Sequence, residues 1–313
     1  MNAMTHQFCS VESVRAGDPL AGTATHAARN LLISWPRSKW SRSLRKAKDM
    51  DEALAQQLDQ LAADGRRVNL ITRRRWPAEV HRVYLFPEAR YFDIPRQKLG
   101  EFLTALEADG DLSPWKGHPA SAPLMLCCTH GKKDKCCAKF GNAAYQALAR
   151  TARQENMPVE IWESSHLGGC RLAASVMVFP AMRKYGRMAP EQVLPFLRHE
   201  VADIPYLPCY RGHSLLTPAQ QCAETAALGW LEAQEISANV SVMPESREDG
   251  TDDVMVTVDW QTRAGNEPGD DADSGTLLVL CGTIEVLRLD TCADLDEGPS
   301  PSRCWIAKKI EPQ

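Results

Sequence analysis

Cysteine and histidine residues follow two apolar segments in the middle of the chain, and no other feature restricts its possible folds and functions as strongly. The run Leu124-Met125-Leu126 has the composition of a buried strand and leads directly into Cys127-Cys128. A second predicted strand, 158–163, is followed by His166 and Cys170. Because side chains that follow neighbouring strands meet at one edge of a sheet, these soft ligands are expected to converge.

Four of these side chains are the candidate ligands of a metal centre: Cys128, Cys137, His166 and Cys170. Thiolate and imidazole are the ligands that iron–sulfur clusters and zinc take in proteins. Eight residues separate the first two cysteines, whereas zinc fingers place about two to four between theirs. Gly168 and Gly169 allow the backbone to approach a cluster closely. The spacing therefore favours an iron–sulfur centre over zinc.

The segments 128–137 and 162–170 resemble those of the sucrase/ferredoxin-like family of thioredoxin-like [2Fe-2S] ferredoxins. Three further stretches resemble other blocks of that family, so that the likeness covers roughly residues 8–230: Phe8-Cys9-Ser10, residues 17–24 and Tyr210-Arg211-Gly212. The resemblance implies a thioredoxin-like fold, a [2Fe-2S] cluster and one-electron transfer. Family members commonly carry histidine where this chain has Cys170, so the resemblance implies a cluster held here by three cysteines and one histidine.

This ligand set affects the expected reduction potential. A neutral imidazole places less negative charge on the iron than a thiolate does. We therefore expect a potential above the plant-type level of about −400 mV.

The other cysteines and one histidine have simpler interpretations. Cys127 and Cys136 are interpreted as small buried apolar side chains, although either could replace a neighbouring ligand. His130 is interpreted as a turn residue that bonds the local backbone. The remaining cysteines are spread singly along the chain and are interpreted as buried or idle thiols: Cys9, Cys209, Cys222, Cys281, Cys292 and Cys304.

Composition excludes several classes of protein. A chain of 313 residues with 44% hydrophobic residues allows two domains with sizeable cores. The net charge of −4 and the lack of a basic, aromatic-interleaved face argue against nucleic-acid binding. No apolar run reaches about eighteen residues, so no membrane span is expected, and residues 1–17 lack the form of a secretory signal. We expect a cytoplasmic protein, in which metal binding explains eleven cysteines better than disulfides do.

The order of predicted elements indicates an α/β (α+β) fold with two thioredoxin-like units, the second binding the cluster. The expected domains are 1–112, 121–215 and 216–313, the last being a helix from Thr217-Pro218 followed by a small antiparallel β appendage. The helices and strands of each unit are predicted from the periodicity of apolar residues. The predicted helices are 17–31, 50–64, 94–110, 138–155 and 190–201, and the predicted strands are 32–35, 68–72, 80–85, 123–128, 158–163, 174–179 and 184–188.

Three functional classes remain open. The preferred one is an electron carrier that exchanges electrons with a redox protein partner, either a reductase or an acceptor. The others are a cluster-containing reductase of a ferric chelate or disulfide-type substrate, and a cluster-free or zinc-stabilised interaction module. No Rossmann glycine fingerprint, P-loop or G-x-S-x-G motif occurs, and no carboxylate pair suggests glycoside hydrolysis.

Basic side chains provide a possible docking patch for an acidic partner at 37–48. A second basic group is a predicted cationic collar around the cluster: Lys132, Lys133, Lys135, Lys139, Arg171, Arg183, Lys184 and Arg187.

Overall fold

A computed structural model describes residues 7–247, 252–263 and 273–313, which form two β-sheets and six α-helices. Ten strands belong to the first sheet and five to the second. The predicted α/β fold class is confirmed. The domain limits proposed from the sequence remain a prediction.

The first half of the large sheet is a β-α-β unit followed by a hairpin and a helix. Its elements are α1 (Cys9–Arg15), β1 (Asn30–Ser34), α2 (Glu52–Ala63), β2 (Arg67–Thr72), β3 (Val80–Phe86), β4 (Arg90–Pro95) and α3 (Leu99–Glu107). Strand β1 pairs in parallel with β2 and antiparallel with β3. Leu54, Leu58 and Leu61 recur at helical spacing and form the buried face of α2.

The second half repeats this order. Its elements are β5 (His118–Pro119), β6 (Leu124–Cys128), α4 (Asn142–Gln154), β7 (Glu160–Ser164), β8 (Val176–Phe179), β9 (Arg183–Tyr185), α5 (Val193–Val201) and β10 (Tyr210–His213). Strand β6 pairs in parallel with β7 and antiparallel with β8. The succession of strands and helices is the one expected from the sequence.

The two halves share one continuous sheet because β2 pairs antiparallel with β7, with Ile71 opposite Ser164 and Thr72 opposite Glu163. The strand order is β10-β9-β8-β6-β7-β2-β1-β3-β4-β5. The ends of β6 and β7, where the candidate ligands follow, therefore lie next to the first half of the sheet.

The C-terminal part is an antiparallel sheet covered by one helix, as predicted. It consists of α6 (Pro218–Ala233), β11 (Ala238–Val242), β12 (Ser246–Arg247), β13 (Val254–Thr262), β14 (Ser274–Arg288) and β15 (Ser300–Pro312). Thr217 begins α6 with a capping box to Gln220. Alternate residues of β13 are buried together with Ala223 and Ala227 of the helix.

The prediction of a helix over 17–31 is wrong, because within residues 7–31 helical structure is confined to α1. Gly17 and Gly22 adopt left-handed backbone angles, with φ of 67° and 80°. Asp18 turns inward to an ion pair with Arg171. The spaced alanines and leucines reflect an irregular segment packed against other elements, as the complete burial of Ala24 shows.

Among the described residues, no helix combines the length and the apolarity needed to cross a membrane.

Candidate metal centre

The first two candidate ligands lie on either side of the loop between β6 and α4. Cys128 is the last residue of β6, and Cys137 begins a π-helical turn, Cys137–Gly141, that continues into α4. Their sulfur atoms are 3.5 Å apart. A Cβ at Gly141 would lie 2.0 Å from the carbonyl oxygen of Cys128. Glycine is therefore required for the turn to approach the end of the strand.

The second pair follows β7. Cys170 begins the 3₁₀ turn Cys170–Leu172, and its sulfur lies 3.6 Å from Nδ1 of His166. Gly168 and Gly169 between them have φ of 92° and 76°, which side chains with a Cβ rarely adopt. These glycines turn the chain back so that both ligands point toward β6.

The structure brings all four candidate ligands together. Cys137 also contacts Cys170, and Cys128 contacts His166. The three cysteines are 2–3% exposed, whereas His166 is half-buried.

Electrostatics within the group favour thiolate at Cys128 and Cys170, whereas hydrogen bonds with these two raise the pKa of Cys137 well above its usual range. A hydrogen bond from Cys137 lowers the pKa of Cys170 to about 7 and lowers that of Cys128 well below its usual range, with His166 adding to both shifts. Burial alone would lower the pKa of His166, but its hydrogen bonds to Cys128 and Cys170 raise it to about 9. Thiolates are the metal-binding form of cysteine.

This donor set fits a [2Fe-2S] cluster. Two donors on one tetrahedral metal with bonds of about 2.3 Å lie about 3.8 Å apart. The Cys128–Cys137 and His166–Cys170 distances of 3.5 and 3.6 Å are close to that separation. Each strand end thus offers one pair of donors of the kind that iron takes in such clusters.

His130 positions one ligand without being one. Its Nδ1 accepts a hydrogen bond from the backbone N–H of His166 at 3.2 Å, and its Nε2 donates to the carbonyl of Ser41 at 2.8 Å. Burial lowers the pKa of the imidazole. His130 is a turn residue, as predicted, because its carbonyl accepts from the backbone N–H groups of Lys133 and Asp134 at 2.9 and 3.2 Å. Its side chain also links two segments distant in the sequence.

The first half of the sheet also supports this site, which sequence analysis missed. Arg67 and Asn69 of β2 donate to the carbonyl of His166 at 2.7 and 3.1 Å. The hydroxyl of Ser165 donates to the carbonyl of Leu44 at 2.6 Å and accepts from Asn69 at 3.0 Å. The available sequence signal was the polar Asn69 among the apolar residues Val68, Leu70 and Ile71.

Two buried cations lie beside the glycine turn. Lys184 and Arg211 are 2% and 3% exposed, and within the described ranges neither forms an ion pair with a carboxylate. Burial, followed by repulsion from Arg211 and Arg67, holds the pKa of Lys184 well below its usual range. Together with Gly168 and Gly169, they line a polar cavity of about 470 Å³, which further cationic side chains border: Arg67, Arg171, Arg288 and Arg303.

The predicted collar is only partly present. Lys184 and Arg171 border this cavity, whereas Arg183 pairs with Glu200 and Arg187 donates to the carbonyl of Asp18. Its lysines on the loop and the following turn are exposed: Lys132, Lys133, Lys135 and Lys139.

The neighbouring cysteines differ in their surroundings. Cys127 is buried, as predicted, and its thiol donates to the carbonyl of Gly141 at 3.3 Å. Cys136 is also buried, but its sulfur lies next to those of Cys9 and Cys292. Cys9 and Cys292 are buried free thiols, as predicted, but their sulfur atoms lie next to each other although the two residues are far apart in the sequence.

Comparison with protein families gives one match over most of this region. The sequence model of the sucrase/ferredoxin-like family matches residues 20–212. This range includes every candidate ligand.

Three fungal relatives are each named altered inheritance of mitochondria protein 32. The Clavispora lusitaniae protein is 29% identical over 31% of this chain and 37% of its own length. The Debaryomyces hansenii protein is 24% identical over 36% of this chain and 52% of its own length. The Meyerozyma guilliermondii protein is 35% identical over 22% of this chain and 27% of its own length. The chain thus spans about a quarter to a half of the length of these curated relatives.

Similar solved structures include thioredoxin-like [2Fe-2S] ferredoxins from Aquifex aeolicus. One is 17% identical with a TM-score of 0.26 and covers 28% of this chain and 89% of its own. A crystal structure of the wild-type ferredoxin is 19% identical with a TM-score of 0.25, and the match covers 28% of this chain and 95% of that one.

Proposed function

The chain belongs to the sucrase/ferredoxin-like family, and on that premise we propose that it is a cytoplasmic one-electron carrier. Its cofactor would be a [2Fe-2S] cluster held by Cys128, Cys137, His166 and Cys170. A bound cluster would supply a site that accepts and gives up single electrons.

One observation carries this proposal: three thiols and one imidazole converge from two strand ends, with 3.5 and 3.6 Å within the pairs. The surroundings are suited to holding them. His130 fixes the backbone N–H of His166, and Arg67 fixes its carbonyl. Such outer contacts orient metal ligands and stabilise the centre they form.

The buried cations support a role in redox chemistry. Three thiolates around a doubly positive iron–sulfur core leave a net charge of about −1, and reduction makes it about −2. Arg67 and Arg211 lie on the side of the site formed by the glycine turn. Positive charge there stabilises the reduced form.

An acidic redox protein is the partner we propose. The exposed lysines on the site loop lie beside the basic segment 37–48, because Lys132 donates to the carbonyl of Trp40 and His130 bonds Ser41. Lys39 and Arg42 of that segment are exposed as well. Complementary charge of this kind accelerates association between redox partners.

Stopped-flow oxidation of the reduced protein by two haem proteins of opposite charge tests this proposal. We expect the acidic cytochrome b5 to react faster at low salt and to slow by about tenfold between dilute and 0.2 M salt. The basic cytochrome c should show the opposite trend. The double variant Lys132→Glu/Lys133→Glu should lose the preference for cytochrome b5. The control variant Lys309→Glu, on the C-terminal sheet, should keep it. Equal rates with both proteins at low salt would contradict a basic docking face.

The cationic cavity favours a second candidate, a reductase that binds an anionic ferric chelate next to the cluster. Arg303 is its most exposed cation, with 78% of the side chain accessible. Saturable reduction of ferric citrate, with KM raised several-fold by Arg303→Glu, would support this function over electron transfer to a protein. A reduction rate that rises in proportion to chelate concentration and is the same in Arg303→Glu would exclude the reductase function.

A further inference from the structure

A second group of metal-binding side chains lies behind the candidate centre. Cys9 begins α1, Asp134 and Cys136 lie in the loop after β6, and Cys292 begins the 3₁₀ turn Cys292–Leu295. The three sulfur atoms form a triangle with sides of 3.5, 3.5 and 3.3 Å. Oδ2 of Asp134 lies 3.9 Å from the sulfur of Cys9. The four donor atoms all lie within 4.8 Å of one another.

This group lacks a compensating charge. All four residues are buried, and the cysteines are free thiols. In the part of the chain that the structure describes, no lysine, arginine or histidine forms an ion pair with Asp134. A buried carboxylate without a cation is costly. A divalent cation between the carboxylate and the sulfurs would supply the missing positive charge.

We propose that Cys9, Asp134, Cys136 and Cys292 bind a single zinc ion, separate from the candidate cluster site. Four protein ligands in a closed, buried set are typical of structural zinc. Sulfur atoms on a tetrahedral zinc lie about 3.8 Å apart, close to the observed triangle. Thiolates disfavour calcium and magnesium. A disulfide would pair two of the sulfurs and leave the third cysteine and the carboxylate without a role.

Hydrogen bonds already orient these ligands. The carboxylate of Asp134 accepts from the backbone N–H of Cys136 at 2.7 Å and of Cys292 at 2.8 Å. The hydroxyl of Ser10 donates to the sulfur of Cys136 at 3.3 Å, and the N–H of Cys9 donates to that of Cys292 at 3.5 Å. Donors to sulfur stabilise thiolates, and such outer contacts strengthen metal sites.

The ligands come from three distant segments. Cys9 and Cys292 are 283 positions apart, and Cys136 is 156 positions from Cys292. A zinc ion at this place would tie α1 and the segment between β14 and β15 to the loop that carries Cys137. Metal binding that joins segments in this way contributes directly to folding free energy.

Metal analysis of the full-length protein, purified anaerobically from zinc-supplied cells, tests the proposal. We expect one zinc per chain in the wild type and loss of most of it in Cys292→Ser. The matched control is Cys281→Ser, which alters another buried cysteine and should retain zinc. Asp134→Asn should weaken zinc binding by about tenfold or more in chelator competition.

Two further measurements keep the test decisive. If Cys292→Ser does not fold, Co²⁺ substituted into the wild type should show the intense sulfur-to-cobalt absorption of a tetrahedral thiolate site. Cys128→Ser should lose iron yet keep zinc, which separates this proposal from the proposed cluster.

Three results would overturn the zinc site. They are a wild type that contains no zinc and takes up none from Zn²⁺ after reduction, an unchanged zinc content in Cys292→Ser, and a disulfide between two of these cysteines in the anaerobic protein. Loss of iron from the wild type with zinc still bound would contradict the proposed cluster and leave the zinc site standing.

Discussion

The sulfur atoms of Cys136 and Cys137, neighbours in the chain, belong to two different buried groups of thiols. That of Cys136 lies 3.3 Å from Cys292, and that of Cys137 lies 3.5 Å from Cys128. One peptide unit therefore connects the two proposed metal sites. The two proposed sites are therefore adjacent in the sequence, while their ligand sets remain separate.

His130 is expected to stabilise the cluster through backbone contacts. His130→Ala leaves the N–H of His166 and the carbonyl of Ser41 without their present partner, at a cost of about 1–3 kcal/mol in unfolding free energy. When the anaerobically purified proteins are exposed to air, the visible absorption of His130→Ala should decay several-fold faster than that of the wild type. His130→Asn, which can replace part of this bonding, should decay at an intermediate rate. Decay equal to that of the wild type would show that His130 does not position His166.

Replacing Cys170 by histidine should raise the reduction potential. The change exchanges a thiolate for a neutral imidazole and restores the ligand pattern common in the family, so we expect a rise of about 100 mV or more. The wild type should itself lie above about −400 mV. An EPR-monitored redox titration measures both values. A potential that does not change in Cys170→His would argue against Cys170 as a ligand.

Asp18 is expected to be essential to stability. Its carboxylate is completely buried and pairs with Arg171 at 2.7 Å and Arg288 at 3.3 Å. Asp18→Asn leaves two largely buried guanidinium groups without that charge, so we expect a loss of about 3–5 kcal/mol in urea unfolding. Asp290 contacts the same arginines but is 54% exposed, so Asp290→Asn should cost less than about 1 kcal/mol. Similar losses in the two variants would contradict this reading.

Glu224 is expected to make stability depend on pH. Burial raises the pKa of its carboxyl to about 7, although hydrogen bonds from the N–H of His213 and the hydroxyl of Tyr210 partly oppose the shift. A raised folded-state pKa gives stability that is fully present below the unfolded value of about 4.5 and is lost as pH rises through 7.

Unfolding free energies measured from pH 5 to 8 should therefore fall by about 1–3 kcal/mol because of this group. Glu224→Gln should flatten that slope, whereas the exposed Glu232→Gln on the same helix should keep it. A slope that persists in Glu224→Gln would assign the pH dependence to other groups.

The sequence predicted those parts of the structure that depend on local pattern. Apolar runs and helical spacing located the strand that ends at Cys128, the strand that precedes His166, and the helices α2, α4 and α6. These features follow from side-chain periodicity and from the direction of parallel strands. The choice of Cys128 and Cys137 over their neighbours Cys127 and Cys136 rested on the family resemblance.

Contacts between residues far apart in the sequence could not be predicted from local pattern. Cys9 and Cys292 lie at opposite ends of the chain, so nothing in their local sequence indicates that they meet. The support that Arg67 and Asn69 give to His166 depends on β2 pairing with β7 across the two halves of the sheet. The helix wrongly predicted over 17–31 is a related case, because Asp18 at the start of that segment pairs with Arg171, 153 positions away.

The most direct test of the central claim is iron and sulfide analysis of the anaerobic protein, with EPR after dithionite reduction. We expect two irons and two sulfides per chain, and a signal that disappears or changes in Cys170→Ser and His166→Ala but not in Cys209→Ser, which alters a buried cysteine elsewhere in the fold. A protein without iron after reconstitution, or an EPR signal unaffected by both ligand substitutions, would contradict a [2Fe-2S] centre held by three cysteines and one histidine.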